Sequence, residues 1–433
     1  MRGPGGVGAL LAQLKAGEDV SFEAISGELT SFVPLLAQLP ETRQDAQWHA
    51  EGSVAAHSAL VVRWAHELAD GAGLRGEQRA ALILAAALHD VGKALTTRDV
   101  PDEEGVVRVR SPQHARRGRD ALSFRLLDSG LPPSLIRTVL ALVAAHHSLH
   151  RALDGNLDRG VTALARRAPL PLLTLLARAD ARGRVVRGAD ARVGEDTADL
   201  LELAAHELDV WDAPEPLADF RAQVRSLLPG AEDDLLALAL GRGVADWEAG
   251  VIHTPHEAAQ RVQAAARQGF PRLTVLCGPS GSGKSTLAAQ LSGARVISLD
   301  ALRAQLGRGP ADQRAADQRV NGQVLQAARE ALREGLRRRE HVVWDATSLR
   351  RDQRAQVLGL GHDYGALTRL WVAWTPPGVA AQRNAARARV VPGAVLADQL
   401  RMLEFPDLGE AHEVTLHPPG GDVWTLDSPF PLS

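Results

Sequence analysis

An all-α domain followed by an α/β domain with a parallel sheet is the fold class that the sequence predicts, and three observations carry it. From about residue 20 to 211, apolar residues recur at three- and four-residue intervals in one segment after another. From about residue 263 the pattern changes to short β-rich runs alternating with helical stretches, as a sheet covered by helices requires. The first of those runs, LTVLC, ends in the glycine-rich turn GPSGSGKST, which opens a helix.

Five stretches predict the helices of the first domain: SVAAHSALVVRWAHELA, QRAALILAAALHD, HARRGRDALSFRLLDSG, SLIRTVLALVAAHH and LPLLTLLARADARGR. Pro and Gly mark the joints between them, as in DSGLPPS and RRAPLP. The second stretch is apolar from Ala80 to Leu88 and then stops on His89-Asp90, followed by Gly92-Lys93. That ending reads either as a helix terminus, with Asp90 and Gly92 turning the chain, or as part of a metal site. WDAPEPLADF marks a break, and residues 212 to 262 read as a helical linker. In the second domain, residues 263 to 433, LTVLC, RVISLD, HVVWDATS and TRLWVAW read as strands.

Composition excludes some functions. A net charge of −3 and a pI near 6.6 exclude overall basicity as a mode of nucleic-acid binding, so any such contact is local. The N-terminal apolar run is too short for a signal peptide and nothing approaches the length of a membrane span, which predicts a soluble, cytoplasmic protein with no membrane partner. The single cysteine, Cys277, fits a reducing compartment and reads as a small core residue. Of the 49 basic Lys and Arg residues only three are lysines: Lys15, Lys93 and Lys284. A lysine that persists against so much arginine marks a place where a compact ammonium is required. Lys93 follows the His-Asp pair, and Lys284 lies in the glycine-rich turn.

Residues 278 to 286 satisfy the G-x-x-x-x-G-K-[ST] pattern in its strand-to-helix setting. The backbone N–H groups of Gly278, Ser280, Gly281, Ser282, Gly283 and Thr286 can close around phosphate oxygens. Lys284 reaches the β and γ phosphates and Ser285 ligates magnesium, so the expected cofactors here are ATP or another nucleoside triphosphate with Mg2+. Asp300, at the end of VISLD, is placed either as a general base for a hydroxyl acceptor or as a helix cap, with Arg303 on the same face. Arg383 and Arg387, at i and i+4, suit a mobile lid over phosphates, although a solvated basic face explains them equally.

The series LDALR, VVWDATSLRRDQR and RNAARARVVP resembles the kinase module of phage-type and bacterial 5′-hydroxyl polynucleotide kinases, over roughly Arg272 to Pro406. The resemblance implies that Asp300 is the general base and Arg303 binds a phosphate of the acceptor strand. It also implies that Arg383 and Arg387 are lid arginines and that Asp345 is a carboxylate near the site. Asn384, one of three asparagines in the chain, falls inside the lid motif.

Eight of the fifteen histidines lie between His49 and His150. His57, His89, His114, His146 and His147 end or interrupt apolar helices, and Asp180 ends another. Separated imidazoles and carboxylates suit transition metals, and Asp90 can bridge two ions while Lys93 neutralises a phosphate without binding metal itself. This constellation resembles the HD-domain metal-dependent phosphohydrolases over about Trp48 to Arg184. WHAEGSVAAH and LARADARGR are similar to the HD domains attached to some tRNA nucleotidyltransferases. The resemblance implies one metal held by His57, His89, Asp90 and Asp180. It implies a second held by His114 and His146 with Asp90 between, His147 being an alternative to His146; the ions would be divalent, such as Mn2+.

Together the two halves resemble the bifunctional bacterial HD-Pnk end-healing enzymes. That resemblance implies phosphorylation of 5′-hydroxyl ends and removal of 2′,3′-cyclic or 2′/3′ phosphates. The partners it implies are RNA or DNA ends and a separate ligase downstream, because no ligase signature is present. Two other readings stay open: a small-molecule kinase joined to an HD nucleotide phosphohydrolase, and a kinase regulated by an HD nucleotide sensor.

Overall fold

The computed structural model describes residues 6–103, 105–186, 193–306, 314–387 and 390–430, and these form two compact units. One runs to Pro216 and takes in Pro429 and Phe430; the other is Leu217–Ser428. No helix among the described residues is long and apolar enough to cross a membrane.

The first unit contains the predicted helices as Val54–Gly71, Gly76–Leu88, His114–Ser123, Pro133–Ala145 and Leu170–Gly183. Gly76–Leu88 is its centre, contacted by Val54–Gly71, Pro133–Ala145 and Leu170–Gly183. Every residue from Arg79 to Leu88 is buried. Burial on all sides explains a long apolar run with no polar face. Truncating a leucine in such a position costs about 2–5 kcal/mol. The helix Val7–Ala16 also packs on this central helix, so the unit includes residues ahead of the expected start at 20.

The region expected to be helical throughout contains a hairpin, β1 (Arg98–Pro101) paired antiparallel with β2 (Val107–Arg110). Its turn is built by Asp102, whose carboxylate accepts from the Val106 N–H at 2.8 Å, and by Gly105 in the left-handed region. The alternation in VVRVR carries the second strand, a period-2 signal too short to stand out among helices.

The second unit is built on a six-stranded sheet of order β4-β5-β3-β6-β7-β8. Its strands are β3 (Arg272–Cys277), β4 (Arg295–Ser298), β5 (His341–Asp345), β6 (Leu367–Ala373), β7 (Glu413–His417) and β8 (Trp424–Thr425). The first five are parallel and β8 is antiparallel to β7. β3 is buried along nearly its whole length, and Cys277 at its end is a core residue whose thiol donates to the Ser348 carbonyl.

The stretch expected as a linker, 212 to 262, folds as helices Ala218–Leu227, Asp233–Glu248 and Pro255–Arg261. Phe220, Val224, Leu238, Val244 and Ile252 share an apolar cluster with Leu367 of β6, and Asp234 pairs with Arg369 and Arg272. Gly241 lies where a Cβ would meet the His412 backbone at 2.8 Å, so these helices sit directly on the sheet unit.

Candidate active sites

In the first unit the histidines share one construction. His89 and His146 follow the last residues of Gly76–Leu88 and Pro133–Ala145, and His114 opens His114–Ser123. In each, Nδ1 lies 2.8 Å from the carbonyl oxygen three residues earlier: Ala86, Ser111 and Val143. Donation to that carbonyl places the proton on Nδ1 and leaves Nε2 as the free donor atom, the arrangement a metal-binding imidazole requires.

Those Nε2 atoms converge on Asp90. His89 Nε2 is 3.3 Å from Asp90 Oδ2, and His114 and His146 Nε2 are 3.1 and 4.0 Å from Oδ1. His57, buried in the first turn of its helix, places Nε2 2.9 Å from Asp180 Oδ1 and 3.8 Å from Asp90 Oδ2. Gly92 brings these pieces together, because a Cβ there would lie 2.0 Å from the His114 carbonyl and 2.5 Å from the Gly118 nitrogen. His114–Ser123 therefore crosses directly over the turn after Asp90, which only glycine permits.

Buried polar atoms test whether this set suits a metal. Among the described residues His89 Nε2 and Asp90 Oδ1 are fully buried with no hydrogen-bond partner. A lone pair facing carboxylates in such a place is stabilised by a cation between them, so the set suits a metal. Ligands about 2.1 Å from one ion lie roughly 3 Å apart, the spacing found here. Metal-suited groups are His57 with His89 and Asp90, His114 with His146 and His147, and His49 with Glu51 and His57. His146 is buried beside Asp90, whereas His147 is exposed.

Charge is balanced around the carboxylates. Burial alone would raise the Asp90 carboxyl, but Lys93 and His89 hold it well below the usual range. Burial likewise opposes ionisation of Asp180, and Arg184 and His57 outweigh it. Lys93 is held between Asp90 Oδ2 and Gln44 Oε1, each 2.7 Å from its ammonium. Two acceptors converging on one nitrogen explain why this cation is not arginine. For His57, burial opposes the charged ring, yet Asp180 and Glu51 lift its pKa to about 9.

Glu51, Arg184 and Gln44 were not picked out from the sequence, although Glu51 lies in WHAEGSVAAH and Arg184 ends LARADARGR. Arg184 pairs with Asp180. Glu51 Oε1 is 2.8 Å from His49 Nδ1 and 3.0 Å from His57 Nδ1, and its Oε2 accepts from the Val185 N–H at 3.0 Å. Burial alone would raise this carboxyl, but His49 and His57 hold it well below the usual range. A carboxylate behind a metal-binding imidazole orients the ring and raises its basicity. Glu51→Gln is expected to weaken Mn2+ binding by about 10- to 100-fold in calorimetry of the full chain. An unchanged Kd would reduce Glu51 to an anchor for Val185.

In the second unit the glycine-rich turn follows β3 and opens the helix Lys284–Ala289. Gly281 and Gly283 have positive φ, and a Cβ on Gly281 would lie 2.1 Å from the Ala380 carbonyl. The helix Pro377–Ala385 therefore presses against the turn. Lys284 Nζ donates to the carbonyls of Gly278 and Pro279 at 2.9 and 2.8 Å, and burial lowers its pKa to about 8. Ser285 and Thr286 are exposed beside it, the Ser282 carbonyl accepts from the Thr375 hydroxyl, and the Ser280 N–H donates to Gln399 Oε1.

Asp300 opens the helix Leu299–Leu306 and pairs with Arg303 at 2.7 Å, and Arg303 also donates to Asn321. Asp345 ends β5 beside Ser298 of β4, and burial raises its pKa. Arg383 and Arg387 do not share one helix face, because the helix ends at Ala385 and Arg387 lies in the bend beyond it. Asn384 lies in the last turn of that helix. Its buried side chain donates to the Val391 carbonyl at 2.8 Å and accepts from the Val391 N–H at 3.1 Å. Ala388 and Arg389 of the expected lid lie outside the described residues. Arg383 remains at the glycine-rich turn, its Nη1 3.4 Å from the place of a Gly283 Cβ.

Comparison with known proteins agrees with this division. An HD domain family matches residues 54–184 and an AAA domain family matches residues 273–406. Among solved structures, a gluconokinase from Sinorhizobium meliloti 1021 is similar at 26% identity over 35% of this chain and 85% of that chain, with a TM-score of 0.25. A superposition that loose carries nothing about the substrate. The chain joins an N-terminal helical HD domain to a C-terminal α/β domain of the P-loop kinase kind.

Proposed function

We propose that this kinase and phosphohydrolase is a nucleic-acid end-healing enzyme. Its P-loop unit phosphorylates 5′-hydroxyl ends, and its HD unit removes 2′,3′-cyclic or 2′/3′ phosphates. The observation that carries the reading is the Asp300–Arg303 pair. A base for a hydroxyl lies beside a cation for a phosphate, which is the chemistry of a 5′ end next to its first internucleotide phosphate. The Asp300 side chain is 74% exposed, and an open acceptor position fits a polymer end better than an enclosed small molecule.

In phosphoryl transfer Asp300 takes the acceptor proton, Lys284 with Arg383 and Arg387 neutralises charge on the phosphates, and Ser285 would be a ligand of Mg2+. In the HD unit, His57, His89, Asp90 and Asp180 would hold one divalent ion, and His114 and His146 a second with Asp90 between. When bound, such ions lower the pKa of water and draw charge from phosphate oxygens. Arg184 and Lys93 set the charge of the two carboxylates and bring positive potential to the site.

The test follows the mass of an RNA oligonucleotide bearing a 5′-hydroxyl and a 2′,3′-cyclic phosphate, incubated with the enzyme, Mg2+ and Mn2+. The expected result is a gain of one phosphoryl group that requires ATP, and ring opening or phosphate loss that does not. If a folded enzyme phosphorylates small alcohols or sugars and leaves the oligonucleotide unchanged, the small-molecule reading replaces this one.

A further inference from the structure

Eight tryptophans, seven phenylalanines and one tyrosine make up the aromatic residues of the chain, and fifteen of the sixteen are buried or half-buried. The exception is Trp48, 47% exposed. A single exposed apolar residue is ordinary on a protein surface, so exposure alone assigns nothing. What distinguishes Trp48 is how firmly its backbone is held and what lies beside it.

Trp48 sits in a turn where its own N–H and that of His49 both donate to the Asp45 carbonyl, at 3.1 and 2.9 Å. The Asp45 carboxylate accepts from the Gln47 N–H, and the Gln47 side chain accepts from Arg108 of β2 at 2.7 Å. On the other side, the Ala50 N–H donates to the Val185 carbonyl, and Glu51 receives the Val185 N–H. The ring is thus exposed on a segment pinned at both ends.

The next residue, His49, sets its ring edge-on to His57 with centroids 4.7 Å apart. Consecutive Cα atoms are about 3.8 Å apart, so the Trp48 backbone adjoins a residue of the imidazole and carboxylate cluster. Val185, also 47% exposed, pairs with Ala50 and Glu51, two and three residues beyond Trp48, and follows Arg184, the partner of Asp180. The cluster therefore has an interior of imidazoles and carboxylates, with Arg184 and Lys93 paired to the carboxylates, and an exposed aromatic residue on a backbone held beside it. That order matches a ligand with a phosphate at one end and a flat ring at the other.

We infer that Trp48 is the stacking subsite for the terminal nucleobase of the HD unit's substrate. The inference rests on the proposed action of that unit on nucleotide ends. An indole face accepts any base, because every base has a π-face, so the subsite favours nucleotides over simple phosphate esters without selecting sequence.

The test uses the full chain with Mn2+ and two oligoribonucleotides ending in a 2′,3′-cyclic phosphate, one with a terminal base and one with an abasic terminal ribose. Trp48→Ala is expected to raise KM for the base-bearing end by about 5- to 150-fold, the range that base stacking on an aromatic ring spans, with kcat nearly unchanged. The same variant is expected to leave KM for the abasic end, Mn2+ content and kinase activity as in the wild type, while Trp48→Phe keeps most of the preference for the base. A change below about 5-fold, or an equal rise for both ends, overturns the subsite. No turnover of either end by the wild type overturns the end-healing reading itself, and this inference with it.

Discussion

Lys284→Ala is expected to lower phosphoryl transfer by about 1000-fold or more, while hydrolysis by the HD unit in the same preparation stays within twofold of wild type. The Lys284 ammonium rests on the carbonyls of Gly278 and Pro279 inside a turn that the backbone of Ala380 closes from one side. Burial has already lowered its pKa to about 8. An anionic phosphate raises it again, so the ammonium supplies charge at the place where transfer develops it. Lys284→Arg is expected to restore little, since a planar guanidinium does not fit where two carbonyls converge on one nitrogen. Radiolabel transfer from ATP to an acceptor measures the first effect, and phosphate release without ATP supplies the control. Loss of both activities in a folded variant would show that the two sites are not independent.

The persistence of that lysine among arginines was readable from composition, and so was the other one. Lys93 and Lys284 each turn out to have two oxygen acceptors converging on the ammonium. Periodicity reached the five helices that carry or lead into the histidines and Asp180, four of them because they bury long apolar faces. It did not reach the hairpin, whose strands are four residues each, or the attachment of 212 to 262, since a helix that packs on a sheet has the same pattern as one that joins domains. Glu51 escaped for a different reason. Its role depends on His57 and Val185, and the second of these lies 134 residues away. Asn384 was conspicuous by rarity, but its action could not be read from spacing. Only the structure shows its two hydrogen bonds to Val391.

Asp90→Asn is expected to abolish hydrolysis by the HD unit and to lower bound Mn2+ sharply, with kinase activity retained. Asp90 touches more of the candidate metal set than any other residue. His57 and His89 face its Oδ2, His114 and His146 face its Oδ1, and Lys93 pairs with Oδ2 at 2.7 Å. The carboxamide keeps the volume, so the crossing of His114–Ser123 over Gly92 is undisturbed, but it removes the charge that balances Lys93 and attracts divalent ions. Asp90→Ala is the harsher variant. It leaves a buried ammonium with only Gln44, and removing one partner of a buried ion pair costs about 3–5 kcal/mol. Lost hydrolysis in that variant would therefore confound metal loss with unfolding of the helical unit. Metal content measured on Asp90→Asn, with thermal denaturation to check the fold, separates the two. The sheet unit has its own core, so unchanged transfer from ATP reports that the rest of the chain is intact. If Asp90→Asn binds Mn2+ as the wild type does and still hydrolyses, Asp90 is not the bridging ligand, and His49, Glu51 and His57 become the next set to examine.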